Sequence, residues 1–418
     1  MAKHVSVTSP PEKSKCPVRR RSALAAWILA AACTFCPGVF AADGNELNGF
    51  GAVQKGLVGA GAASAYDATW VLLNPAATLE LGNRFDSSIE ALSLRTEVRM
   101  GGLPLVSNPF AGEMENRQWV PVPALAYTQP LGEGALGVGV FGTQGNKLSY
   151  AHPRTTVGWF GNGDRRSEFQ VVKFPVTYAY PLGGGWTAGV GVVPIIARFR
   201  TDSVSLSLME SKGNHEWDPG VGGGFLFSLH YRADRWSLGA AFSSRVWTQE
   251  YNQYAGDVLR TSFDLPQKLQ AGIGFKPKEN VELLLDYKWT DWDSIGQLGM
   301  KATENGLGWR DAHVVKLGVN WDIDSRWSVR GGVSYGRTPV RDDVVFANTL
   351  TPALAEWHVA LGATRRIGDR HELHAAFTHV PREEATENGQ GDLFSKLGRG
   401  TWTSYAENAL TLQYSYKF

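Results

Sequence analysis

Residues 409–418 read ALTLQYSYKF and alternate without a break. Leu410, Leu412, Tyr414, Tyr416 and Phe418 fall on one side, and Ala409, Thr411, Gln413, Ser415 and Lys417 on the other. Successive side chains of a strand point to opposite faces, so a period of two predicts a β-strand with one apolar face. The pattern recurs upstream. Val281, Leu283, Leu285, Tyr287 and Trp289 oppose Glu282, Leu284, Asp286 and Lys288; Val315, Leu317, Val319 and Trp321 oppose Lys316, Gly318 and Asn320. Trp327, Val329, Gly331, Val333 and Tyr335 likewise oppose Ser328, Arg330, Gly332 and Ser334. No charge falls on the greasy face of these four stretches.

The composition agrees with a β-rich protein. The chain has 418 residues, 43% apolar and 19% charged, with 48 Gly, 15 Trp, 13 Tyr and 19 Phe. A disordered chain would carry fewer aromatics and a larger charge imbalance. A formal net charge of +1 gives no basic stripe for nucleic acid. Past the N-terminus no run of about 18 apolar residues occurs, which excludes a helical membrane protein.

Residues 1–41 have the plan of an export signal. Arg19, Arg20 and Arg21 precede an apolar run over 23–35, and Val39-Phe40-Ala41 or Phe40-Ala41-Ala42 offers a cleavage site. Removal takes six basic residues and one acid with it, leaving a mature net charge of −4. Cys16, Cys33 and Cys36 leave as well, so the mature chain has no disulfide to stabilise it. A closed barrel supplies the alternative.

About fourteen strands are expected, near 84–98, 117–129, 134–144, 169–180, 186–200, 219–231 and 235–247, then 260–275, 281–290, 311–321, 327–336, 355–366, 371–379 and 407–418. Every second connection is short (130–133, 181–185, 232–234, 276–280, 322–326 and 367–370), and the others are long. An even strand number, with short turns at one end and long loops at the other, marks bacterial outer-membrane barrels. Tyr180 and Trp186, Tyr231 and Trp236, and Trp321 and Trp327 bracket three short turns, where amphipathic rings suit the bilayer interface. The fold class expected is therefore all-β, a 14-stranded antiparallel transmembrane β-barrel.

Residues 43–83 do not alternate. They are rich in Gly and Ala and run into Leu72-Leu73-Asn74-Pro75-Ala76, with too many apolar side chains for a flexible linker. A compact plug inside the lumen is the better reading. Asn45-Glu46-Leu47, the Gly/Ala stretch to Asp67 and Asn74-Pro75-Ala76 resemble the N-terminal hatch of the FadL family of outer-membrane long-chain fatty-acid transporters. The likeness continues through Trp119-Val120-Pro121, Gly213-Asn214 with Trp217, Leu265-Pro266, and Tyr287 with Trp292. It extends to Trp309-Arg310-Asp311-Ala312, Arg330-Gly331-Gly332, Pro339 and the closing Tyr416 and Phe418. The resemblance implies fourteen strands closed by an N-terminal hatch, and a chain divided into a signal peptide (1–41), a hatch (42–83) and a barrel (84–418).

It also implies a passive mechanism. Long-chain fatty acids or similar apolar molecules would be captured by outer loops and passed to a tighter pocket. They would leave sideways through a gap in the wall once the hatch shifts. By this resemblance Asn74, Pro75 and Ala76 belong to the hatch gate, and Gln118, Pro121 and Gly142 to the lateral opening. The residues themselves suit a broken ladder, because Pro121 and Pro123 remove donors and Gly137, Gly139, Gly142 and Gly145 permit a bulge. Ligand-binding candidates are Phe110 in the first long loop, Trp159 and Phe160 in the second, and Leu206 and Leu208 in the third. Arg198, Arg200 and Arg310 near strand ends could meet a carboxylate. Relatives that import aromatic hydrocarbons share this plan, so those remain an alternative cargo; a general porin or a structural barrel is a second alternative.

Catalysis finds no support. His371 and His374 lie three apart on a strand, hence on opposite faces, and form no metal pair. No nucleophile-elbow pattern occurs. The expectation is a monomeric, non-enzymatic protein without cofactor or metal. Its partners would be a hydrophobic small molecule or fatty acid, outer-membrane lipids, and the barrel assembly machinery that reads the terminal aromatic.

Overall fold

The computed structural model describes residues 44, 46–101, 113–150, 165–201, 216–254, 262–304 and 306–418. Sixteen strand segments run in one antiparallel sheet. The first eight are β1 (Arg84–Arg99), β2 (Glu113–Leu131), β3 (Gly134–Tyr150), β4 (Arg165–Lys173), β5 (Val176–Gly183), β6 (Trp186–Thr201), β7 (Asp218–Arg232) and β8 (Trp236–Ser243). The rest are β9 (Trp247–Thr248), β10 (Lys268–Lys278), β11 (Val281–Thr290), β12 (Ala312–Asp322), β13 (Trp327–Gly336), β14 (Trp357–Ile367), β15 (His371–Thr386) and β16 (Trp402–Lys417). β4 and β5 both lie between β3 and β6, as halves of one crossing parted at Phe174 and Pro175. β8 and β9 likewise share one crossing beside β7. Sixteen segments thus make fourteen crossings.

The sheet closes where β1 pairs with β16, from Arg84 opposite Lys417 to Arg99 opposite Trp402. Closure leaves no open edge, which is what lets backbone amides pass through lipid without water. Alternation then divides the side chains. Leu317, Leu361, Phe377 and Leu412 stand exposed on the outside, while Asp86, Glu90, Asp286 and Lys316 are buried in the lumen.

Strand existence and order follow the sequence pattern, but several boundaries move. β15 continues to Thr386 and β16 begins at Trp402, beyond the expected 379 and 407. In the run from Pro381 to Thr386 neither face is buried, and the apolar alternation ends there. β10 begins at Lys268 rather than 260, because Leu265 makes only an isolated bridge to Val246 before Pro266. Pro175, which carries no N–H, interrupts the strand expected over 169–180. The expected signal segment and the loop residues Phe110, Trp159, Phe160, Leu206 and Leu208 lie outside the described residues.

Residues 46–83 fill the short-turn half of the lumen. They carry α1 (Gly51–Gly56), α2 (Trp70–Leu73) and a 3-10 turn at Pro75–Glu80. The polar lower wall supplies the hydrogen bonds that such irregular backbone needs. Asp286 accepts from the Gly61 and Ala62 amides at 3.0 and 2.8 Å, Asp86 from the Ala68 amide at 2.7 Å, and Gln413 from the Ala52 amide at 2.7 Å. Wall glycines bring the backbones together: a Cβ built on Gly239 would meet the Ala62 carbonyl oxygen at 1.8 Å, and one on Gly332 the Leu57 carbonyl carbon at 2.8 Å.

Gly239→Val should therefore push the plug away from β8 while leaving the barrel closed. Hydrogen exchange should quicken at residues 57–64, with heat-modifiable electrophoretic mobility unchanged. Unaltered exchange there would show that the close approach does not hold the plug.

Candidate functional site

The inward face of β1 changes character along its length. Arg84, Asp86 and Glu90 are followed by Leu92 and Leu94. Above the plug this apolar storey continues around one side of the lumen. Val120 and Val122 of β2, Phe169 and Val171 of β4, Val193 and Ile195 of β6 and Leu226 of β7 are buried in one cluster with Leu92 and Leu94. Outer segments cap it from above. Phe263 stacks on Phe199 at 5.9 Å, and Trp292 meets Trp309 edge-on at 5.1 Å.

The wall opens beside this storey. β2 and β3 pair from Leu131 opposite Gly134 only as far as Ala124 opposite Phe141. Beyond that point β2 keeps β1 as its partner and β3 keeps β4. The Asn116 carboxamide rejoins the two strands higher up, accepting from the Ser149 amide at 3.2 Å. Between these ties, residues 117–123 face 142–148 with no backbone ladder. Pro121 and Pro123 stand outward on one side, and on the other the register of β3 against β4 slips between Gly142 and Gln144. Two missing donors and a bulge leave the strands unable to zip.

The start of the plug lies against this open edge. The Leu47 amide donates to the Thr143 carbonyl at 3.3 Å, and Phe50 packs edge-on against Phe141 at 5.4 Å. Ala68 and Val71 complete the contact with Ala124, Ala126 and Phe141. Glu46 is tied by lysines on both sides, Lys173 beside the edge and Lys268 and Lys288 across the lumen. Its buried carboxylate meets Lys268 at 2.7 Å, Lys288 at 3.2 Å and Lys173 at 3.5 Å. Burial alone would raise this carboxyl, but the three ammonium groups outweigh burial and hold it well below the usual carboxylate range. A cavity of about 50 Å³ sits here, bordered by Phe50, Leu72, Lys268, Lys288 and Lys316. That volume holds a water or two, not an acyl chain.

The expected site residues distribute unevenly around this centre. Gly142 is the first β3 residue beyond the paired ladder, and Pro121 and Gln118 lie within reach of the window on β2. Gln118 donates to Asn116 at 2.8 Å, while its own buried carbonyl oxygen finds no donor. Asn74, Pro75 and Ala76, which the resemblance gives to the hatch gate, lie away from the opening. The single turn of α2 carries them down and across to β6 and β7, where Asn74 donates to Ala62 at 2.6 Å and to Leu229 at 3.3 Å. There Ser228 accepts from the Ala76 amide at 3.0 Å. Leu47, Phe50, Ala68 and Val71 take the place next to the gap.

The arginines are also correctly found on the chain but wrongly aimed for a luminal head group. Arg198 and Arg200 share the outward side of β6 with Ile196, opposite the inward Phe199. Both stack on Trp217, at 4.2 and 4.5 Å, and bind Gln170 and Glu168 respectively. Arg310 grips the Thr338 carbonyl at 2.9 Å and steadies the outer segment. Lys173, Lys268 and Lys288, which do reach the lumen, were not singled out as site residues from the sequence. Lysines at inward positions are ordinary in a polar lumen, and their convergence on Glu46 is a long-range contact. His371 faces outward to Tyr414 and His374 inward to Ser415, so they form no pair. Among the described residues no group of His, Cys, Asp and Glu could hold a metal.

Comparison with known proteins fits this geometry. A family model described as "Outer membrane protein transport protein (OMPP1/FadL/TodX)" matches residues 230–418. The long-chain fatty acid transport protein of Salmonella typhi is 23% identical over 350 residues, covering 71% of this chain and 78% of that protein. The 47 kDa outer membrane protein of Pasteurella multocida is 21% identical over 263 residues. A protein provisionally named as an outer membrane protein in Neisseria meningitidis serogroup B is 24% identical over 203 residues. The chain spans about half the length of these last two, 58% and 43%. The crystal structure of the Pseudomonas putida toluene transporter TodX superposes with a TM-score of 0.66 at 16% identity, over 89% of this chain and 99% of that one. The match to the FadL/TodX family model thus covers residues 230–418, and the fold of the chain is that of TodX.

Proposed function

We propose that this protein passively imports hydrophobic molecules across the outer membrane, releasing them sideways between β2 and β3. The observation that carries this reading is the unpaired window at 117–123 and 142–148, which adjoins the apolar storey and is covered from within by Leu47 and Phe50. A molecule held by apolar contact gains about 0.8 kcal/mol for each CH₂ buried. It loses that gain in a watery pore and keeps it on a path from greasy lumen to lipid. The plug occupies the lower lumen with buried, hydrogen-bonded backbone, which argues against a general porin.

In this mechanism Asn74, Pro75 and Ala76 anchor the lower plug to β6 and β7, while the segment from Glu46 to Phe50 is the moving part. The cavity of about 50 Å³ has to enlarge before cargo fits, and the withdrawal of that segment enlarges it. The lysines around Glu46 favour cargo with an acidic end group over a bare hydrocarbon, since a carboxylate could exchange with that of Glu46. Fatty acids, as carried by the Salmonella relative, suit this better than toluene, the cargo of TodX. Capture from outside would fall to the candidates Phe110, Trp159, Phe160, Leu206 and Leu208.

Gly142→Trp would fill the window from its edge. Uptake of a labelled fatty acid by cells should fall close to background, and deletion of residues 44–70 should abolish regulated uptake while opening an ion-conducting pore in planar bilayers. Normal uptake with Gly142→Trp would remove the lateral route.

Glu46→Gln breaks a buried ion pair, a change that costs about 3 kcal/mol or more. Hydrogen exchange at residues 46–50 should rise and the barrel should stay closed. Acid should act in the same direction. The folded carboxyl titrates below its ordinary range, so the carboxylate side of the tie persists down through that range and is lost as pH falls beneath it. Exchange corrected for intrinsic rate should be level from pH 7 to 5; a steep rise within that interval would contradict the assignment.

A further inference from the structure

The outer wall holds one feature that import does not use. Arg365 of β14 faces outward, in register with Trp327 of β13 and Leu373 of β15. Tyr414 and Ser87 continue the row across β16 and β1. Every other outward position on β13, on β14 and on β15 as far as His379 lacks a Lys, Arg, Asp or Glu. The Arg365 guanidinium lies 5.2 Å from the centre of the Trp327 ring. Among the described residues no carboxylate pairs with it and no hydrogen bond ends on it. A bare cation on a lipid-facing wall is costly, less so toward the interface, and an anion beside it offsets the cost.

The wall is hollow next to this charge. Ala363 and Ala375, one row deeper in the membrane, are small where their neighbours Ile89 and Leu412 are large. Together with Leu373 and Tyr414 they line an open groove of about 650 Å³. The charged end of the groove is the end near the short turn at 368–370, the periplasmic side of such barrels.

We propose that this groove binds one glycerophospholipid of the periplasmic leaflet, with its phosphate on Arg365 and an acyl chain laid over Ala363 and Ala375. The planar guanidinium matches a phosphate in two-pronged geometry. Trp327 and Tyr414 are amphipathic rings of the kind that sit at head-group level. The groove runs from charge to grease in the direction a lipid points, head toward the periplasm and tail toward the bilayer centre. A second copy of the chain fits less well, because a two-fold contact here would bring two Arg365 side chains together. Lipopolysaccharide occupies the opposite leaflet.

Native mass spectrometry of the detergent-purified protein with added phosphatidylglycerol tests this, with a diacylglycerol of the same chains as uncharged control. Wild type should retain one phosphatidylglycerol and no diacylglycerol. Arg365→Gln should weaken retention about ten-fold, and Ala363→Leu with Ala375→Leu, which fills the groove with side chains suited to a lipid face, should do the same. Heat-modifiable mobility checks that each variant is folded. Wild-type retention by either folded variant, equal retention of the diacylglycerol, or a dimer in place of a lipid adduct would overturn the proposal.

Discussion

Backbone hydrogen bonding in lipid is the constraint on which the molecule rests. An amide inside a bilayer has no water to turn to, so strands must zip into a closed ring. The β1–β16 seam achieves this along sixteen consecutive pairs. Against that demand the open stretch between β2 and β3 is an exception that needs local causes, and the sequence contains them. Pro121 and Pro123 cannot donate, and the slip at Gly142 takes β3 out of step with β4.

In the proposed mechanism the plug and the window are two parts of one device. A hole in the wall alone would leak, and the segment from Glu46 to Phe50 covers it with a backbone bond to Thr143 and a ring against Phe141. The Glu46 carboxylate ties the same segment to Lys268 and Lys288 across the lumen and to Lys173 beside the window. The lower plug is held differently, through backbone amides bonded to Asp86, Asp286 and Gln413 and through close approach at Gly239 and Gly332. A few side chains secure the upper segment and many backbone contacts secure the lower part. Local opening is drawn from the less densely tied region, which is why the upper segment is the part assigned to move.

Much of this was legible in the sequence wherever one face meets lipid and the other a lumen. The run from Ala409 to Phe418 gave both strand and orientation, and the same alternation placed all fourteen crossings. It failed where that asymmetry ends. Past Val380 both sides of β15 are wet, and the run to Thr386 carries no period. The unpaired stretch of β2 and β3 holds Pro121, Pro123 and Gly142, whose effect on backbone pairing is local and so can be read from sequence. The position of Asn74–Ala76 was not legible, because one turn of helix at Trp70–Leu73 decides it. Nor was the meeting of Glu46 with three lysines, which lie on β4, β10 and β11 more than a hundred residues away. Arg365 was readable as an outward charge but sits on a strand whose alternation is diluted by Gly362 and Ala363.

The most direct measurement tethers the moving segment to the wall. Leu47→Cys with Thr143→Cys places two thiols where the backbones already touch, in a mature chain expected to have no other cysteine. Oxidation should stop uptake of a labelled fatty acid, and reduction should restore it, with the barrel folded throughout. Uptake that continues at the untethered rate under oxidation, with the disulfide verified by mass spectrometry, would contradict a gate at this window.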